Sequence, residues 1–164
     1  MERKIKDVKS ALKYGAFQSA LALALTLPDI CSQIEYPNEN RVGERYSDWC
    51  NKYLDFSDCQ VGFGTEDAEL NGKLVYCLRC AFLHSGNDDI LSQPAARGTT
   101  ITKFTLCEPN GINGYGFQYK VNDTSVETTI DMEYLVDLIC DASQKYYDSQ
   151  TDKTVFDDHT CLVK

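Results

Sequence analysis

Residues Tyr76 to Asp89 read YCLRCAFLHSGNDD. The run is helical and apolar in character, yet it carries Arg79 and, five positions later, His84, before stopping on Ser-Gly-Asn-Asp. With Leu74 at zero and about 100° per residue, Leu74, Cys77, Leu78, Ala81 and Phe82 gather around one direction, which reads as the core face. Tyr76, Cys80 and Leu83 gather on the opposite side. They form a second apolar face that a single bundle does not easily bury. Arg79 and His84 stand at the two edges of this second stripe. Two polar groups at the seam of an apolar patch suit a helix pressed against a partner. Tyr76, Cys80 and Leu83 are therefore the expected interface of a homodimer, whose two-fold axis would bring two copies of Arg79 and His84 to one cleft. Asn71 fits the N-cap of this helix and Gly86 its end.

Residues 2 to 34 also read as helix, in two pieces around Gly15 and bent at Pro28. In the second piece Ala16, Phe17, Ala20, Leu21, Leu23, Ala24, Leu27, Ile30 and Cys31 cover most of the circumference, so it should be buried on several sides. Arg45 to Leu54 predicts a short helix with Tyr46, Trp49, Cys50 and Tyr53 on one side. Beyond residue 86 the character changes. TTITKFTLCEP, GYGFQYKVN and SVETTIDM are β-rich runs separated by NGING and NDTS, which predicts a small antiparallel hairpin or meander at about residues 98–130. A long helix follows, with Asp131 as its cap and Met132, Leu135, Val136, Ile139, Ser143 and Tyr146 as its buried stripe. The tail from Thr151 either adds a strand or dangles. The expected architecture is mostly α: one domain over residues 1–164, four or five helices, and a β insertion before the last long helix.

Composition limits the function. A chain of 164 residues, 43% of them hydrophobic, is long enough for a proper core. Its formal net charge of −9 argues against a general nucleic-acid binder, because phosphate contacts need Lys and Arg. It leaves room for a local basic site on an acidic body. The N-terminal stretch imitates a secretory leader, but Glu2 and Asp7 break its positive region and Gln18 and Ser19 interrupt its apolar run. The unbroken run from Ala20 to Leu25 is far short of a membrane span. The expected compartment is cytoplasmic, with the eight cysteines reduced.

The Arg79-x-x-x-x-His84 spacing resembles the signature of the HEPN superfamily, in which an arginine is followed four to six residues later by a histidine, late in a helix of an all-α bundle. The resemblance covers this helix and the helical character of the N-terminal half, and the β runs would be an insertion. The residue after the arginine is commonly polar in active members; here it is Cys80. The resemblance implies a metal-independent ribonuclease, dimeric, with both motifs facing one cleft. It also implies a setting of toxin–antitoxin or phage-defence type, with an antitoxin or nucleotidyltransferase as partner and RNA as substrate. Arg79 and His84 would be the catalytic pair.

The residue types suit that chemistry. Cleavage of RNA by its own 2′-hydroxyl needs a group that removes the hydroxyl proton and a cation that steadies the phosphorane. Imidazole is the natural proton shuttle near neutral pH, and guanidinium is a permanent, forked cation suited to phosphate oxygens. No cofactor or metal is required. The competing reading makes Arg79 the partner of one of the acids and His84 a cap on the helix C-terminus, leaving a silent helical interaction module. Cys77-x-x-Cys80 lies mid-helix without a second ligand pair, so it reads as two small hydrophobes and not as a zinc or redox site. His159 reads as exposed and idle. GxSxG, HExxH and phosphate-loop motifs are absent from the sequence.

Overall fold

The computed structural model describes residues 1–56, 70–85, 101–109, 117–122 and 125–159. Within them the chain runs α1 (Glu2–Lys13), α2 (Phe17–Ala24), α3 (Leu27–Glu35), α4 (Val42–Tyr53), α5 (Gly72–Cys80), β1 (Ile101–Cys107), β2 (Phe117–Asn122), β3 (Ser125–Asp131) and α6 (Met132–Ser149). A single turn of π-helix, Ala81–Ser85, continues α5, and a 3-10 segment, Lys153–His159, follows α6. The chain is mostly helical with one small sheet, as its sequence predicts, but it has six α-helices among the described residues, more than the four or five expected.

The extra helix comes from the N-terminal region, where the expected two pieces are three. Gly15, at φ +74°, ends α1 in a left-handed turn. Its N–H donates to the Leu12 carbonyl and that of Ala16 to the Ala11 carbonyl, both at 2.9 Å. This paired closure satisfies two carbonyls that a helix end otherwise leaves bare. The second break falls at Leu25 and Thr26. Pro28 therefore bends nothing; it occupies the first turn of α3, where its missing N–H has no helical partner to lose. Ala20, Leu21, Ala24, Leu27, Ile30 and Cys31 are buried as expected, whereas Ala16 and Leu23 face outward.

Helices α2, α3, α4 and α6 enclose the core. Trp49, Tyr46, Leu21, Leu25, Leu27, Leu135 and Tyr146 are almost completely buried in it. The aromatic side of α4 is seen as expected: Trp49 stacks on Tyr53 at 5.2 Å and meets Tyr146 of α6 edge-on at 5.8 Å. The Tyr46 hydroxyl, fully buried, donates to the Leu25 carbonyl at 3.1 Å, tying α4 to the carbonyl end of α2. The stripe expected on α6 is buried at each of its six positions. Asp131 caps α6 by accepting from the Tyr134 N–H at 3.1 Å, and Asn71 caps α5 by accepting from the Leu74 N–H at 3.0 Å. Each such cap stabilises its helix by about 1 kcal/mol. Gly86, the expected end of the opening helix, lies outside the described residues. The described part of the tail, up to His159, forms no strand and packs on the core. Its 3-10 segment seats Phe156 against Tyr147 and Tyr146, with ring centroids at 5.0 and 6.3 Å.

The sheet corrects the expectation of an antiparallel meander. Strand order is β1-β3-β2, and β1 runs parallel to β3, pairing Phe104 with Thr128 and Leu106 with Ile130. Among the described residues, β2 and β3 are the antiparallel pair. Alternation marks a segment as a strand and says which side chains face inward. It does not say which edge a strand takes. β3, whose Thr128 and Ile130 are fully buried, takes the centre because it leads directly into α6 and so lies nearest the core.

Candidate functional site

Helices α3 and α5 and the π turn that continues α5 meet around one guanidinium. Arg79 sits in the last turn of α5, and its side chain reaches Asp29 in the first turn of α3. Its Nε and Nη2 both donate to Asp29 Oδ2, at 3.2 and 3.0 Å. Its Nη1 lies 2.5 Å from His84 Nε2. A guanidinium has donors only, so Nε2 is the acceptor in this contact and the ring proton is on Nδ1.

The π turn makes that contact possible. On a regular α-helix, residues five apart diverge by about 140°, which is why the sequence places Arg79 and His84 on opposite edges of a stripe. A π turn closes between residues five apart. Beginning at Ala81, it swings His84 back over Arg79. The expected edge-to-edge placement is therefore corrected: the two side chains touch. Such turns are frequent at functional sites, because the wider turn costs helical hydrogen bonding and persists where something else is gained.

Electrostatics around the pair are balanced between burial and attraction. The Arg79 and Asp29 side chains are 18% and 17% exposed. Burial pushes the Asp29 carboxyl upward, and the charges of Arg79 and Arg45 only partly offset it. For Arg79, burial works against the charge, but the Asp29 carboxylate outweighs it and the guanidinium is held firmly positive. Arg45 of α4 supplies a second cation in the neighbourhood, its Nη1 donating to the Glu39 carbonyl at 3.3 Å. The two arginines thus stand beside two acids, Asp29 and Glu39.

Of the expected interface residues, Tyr76 is half-buried and already committed to its own chain. Its ring lies 5.3 Å from that of Tyr46 and close against Gly43, where a methyl group would come within 2.8 Å of the ring. It also lines a groove of about 640 Å3 between α4 and the start of α5, with Arg41, Ser47, Asp48 and Lys73. Cys80 and Leu83 are half-buried. All three residues of the second apolar face thus remain partly exposed.

Asp29 was not legible as a site residue. The available signal was an acid set inside an apolar run, Leu27 to Cys31, with buried neighbours on both sides. Six cysteines are free thiols among the described residues. Burial pushes Cys31 and Cys140 up to about 12 and Cys77 up to about 11, which suits packing and not nucleophilic chemistry. Among the described residues no cluster of three His, Cys, Asp or Glu side chains is placed to hold a metal, and no helix is long and apolar enough to cross a membrane. The His159 side chain lies outside the described residues. No known family, curated protein or solved structure matches the chain.

Proposed function

We propose that the chain is a HEPN-like, metal-independent endoribonuclease of toxin–antitoxin or phage-defence type, acting as a homodimer in the cytoplasm. The observation that carries the reading is the contact of Arg79 with His84 across a π turn, with Asp29 behind the arginine. A cation beside a neutral imidazole is the pairing that RNA transesterification needs, and the turn departs from regular helix to supply it.

The reaction follows from the donors. A substrate phosphate is drawn to the guanidinium and takes the Nη1 donor from His84. That exchange frees the Nε2 lone pair, which accepts the proton of the adjacent 2′-hydroxyl. The 2′-oxygen attacks phosphorus while Arg79 steadies the charge on the non-bridging oxygens. The P–O5′ bond breaks, leaving a 2′,3′-cyclic phosphate, and the departing 5′-oxygen takes a proton from water or from a His84, of either copy, that has been protonated. Purified protein is expected to cleave mixed cellular RNA at the same rate with or without excess EDTA. Activity that vanishes on chelation and returns with a divalent ion would count against the proposal.

The dimer rests on the half-buried Cys80 and Leu83 beside this pair. Sedimentation is expected to show a dimer at tens of micromolar, about the range where modest interfaces hold. Monomer throughout would remove the second-copy histidine from the scheme. The net charge of −9 favours a second reading, a catalytically silent interaction module; in that case purified wild type, freed of any bound partner, cleaves nothing. An antitoxin or nucleotidyltransferase is the partner to look for under the first reading.

A further inference from the structure

We infer that Asp29 is a positioning residue for the Arg79–His84 pair, one that fixes the guanidinium while its Nη1 passes from His84 to a substrate phosphate. The inference deepens the ribonuclease reading and rests on it for its kinetic consequence. Two N–H groups on one edge of Arg79 converge on a single oxygen, Asp29 Oδ2. That side-on grip fixes both the position and the plane of the group. It engages Nε and Nη2 and leaves Nη1, the group at His84, outside the grip. The carboxylate is itself well anchored. It projects from the first turn of α3, between buried Pro28 and buried Ile30, and cannot follow the arginine if the arginine moves. Long side chains at half-exposed positions ordinarily sample several rotamers. Here the mobile group is held at one end, and only the working end is left to exchange partners.

The same geometry fixes His84. Its Nε2 stays unprotonated because Arg79 donates to it, and Arg79 is aimed there by Asp29. Loss of the carboxylate therefore reaches His84 through the hydrogen-bonded Arg79, in addition to the direct charge interaction between Asp29 and the ring. Stability is a separate matter. Burial holds the Asp29 carboxyl above its ordinary range, so its ionised form opposes folding as the pH rises past that range. Asparagine, neutral and of the same shape, is spared that cost but leaves the Arg79 charge, which burial opposes, without its carboxylate.

The experiment compares wild type with Asp29→Asn and Asp29→Ala. On RNA, kcat is expected to fall about tenfold for Asn, which keeps an acceptor at Arg79. It is expected to fall about a hundredfold for Ala, the scale of a misplaced catalytic group. KM should stay within about threefold, since the phosphate contact itself is retained. The thermal unfolding midpoint of each variant is measured as well, and rates and spectra are taken well below it, so that a folding defect in either variant does not decide the matter. The second readout is the ring nitrogen spectrum of His84, assigned with His84→Ala. Wild type is expected to show a single tautomer protonated at Nδ1, and both Asp29 variants a mixture. A His84 spectrum identical in wild type and Asp29→Asn overturns the inference whatever kcat does. If wild type does not cleave RNA at all, the ribonuclease reading falls, and the tautomer comparison still decides the role of Asp29.

Discussion

His84→Ala is expected to lower RNA cleavage by about a thousandfold and Arg79→Lys by about a hundredfold, with both proteins folded. The histidine figure reflects the loss of a positioned proton acceptor, which supplies about 10²–10⁴ of rate. His84 is exposed and ends on a contact with Arg79, so its removal uncovers no core and the unfolding curve should match wild type. The arginine figure reflects the loss of one electrostatic stabiliser. Lysine keeps the charge and loses the geometry. Arg79 grips Asp29 through Nε and Nη2 while reaching His84 through Nη1. A single ammonium cannot hold the carboxylate side-on and serve the imidazole from a second nitrogen. The measurement is initial cleavage of mixed cellular RNA by wild type and both variants purified side by side. Equal rates from all three would point to a contaminant or to a site elsewhere on the chain.

Gly72→Ala is expected to destabilise the fold by about 3 kcal/mol or more, at the upper end of overpacking costs. A methyl group there would lie 2.1 Å from the Ser47 carbonyl oxygen and 2.9 Å from the Cys50 side chain. The nearest atom is backbone, inside helix α4, and cannot swing aside. The Gly72 N–H donates to Asn51 Oδ1 at 2.6 Å, so the two helices are also tied at the crossing and cannot easily separate. In a chain of this size the loss corresponds to a fall in Tm of about 6–12 °C. Gly15→Ala offers the internal control. Nothing lies within 4 Å of its added carbon, and only the positive φ opposes it. Its cost should stay near 1 kcal/mol. Thermal and denaturant unfolding of the two variants should therefore separate clearly. Similar curves would mean that α4 and α5 leave room for a methyl group at their crossing.

What the sequence announces of the fold depends on the range of each signal. Local signals carried well. The Asn71 and Asp131 caps each rest on one side chain and an N–H three residues away, and both are present. The α6 stripe repeats every three or four residues and is buried throughout. Signals that depend on distant partners carried poorly. β1 offers the same alternation whichever neighbour it takes, so its parallel pairing with β3 was not legible. The break at Leu25–Thr26 has no glycine or proline in the gap to mark it, and Pro28 misdirects because proline also opens helices.

The candidate site divides in the same way. Arg79 and His84 were legible as a pair by spacing alone. Their contact was not, because a uniform helical wheel puts them about 140° apart, and no residue from Ala81 to Ser85 announces a wider turn. Asp29 lies 50 residues from Arg79, and only the packing of α3 near the end of α5 joins them. The packing of the Tyr76 ring against α4 was not legible either, because Gly43, which lets it settle there, is 33 positions earlier in the chain.

Cleavage of a short RNA beside its twin carrying a single 2′-deoxy nucleotide at the cut position, both in EDTA, tests the central claim most directly. If Arg79 and His84 work on the 2′-hydroxyl, wild type cuts the first RNA to a 2′,3′-cyclic phosphate end and a free 5′-hydroxyl, and leaves the twin intact. Cutting of the twin at the same position, or products ending in 5′-phosphate and 3′-hydroxyl, would contradict it.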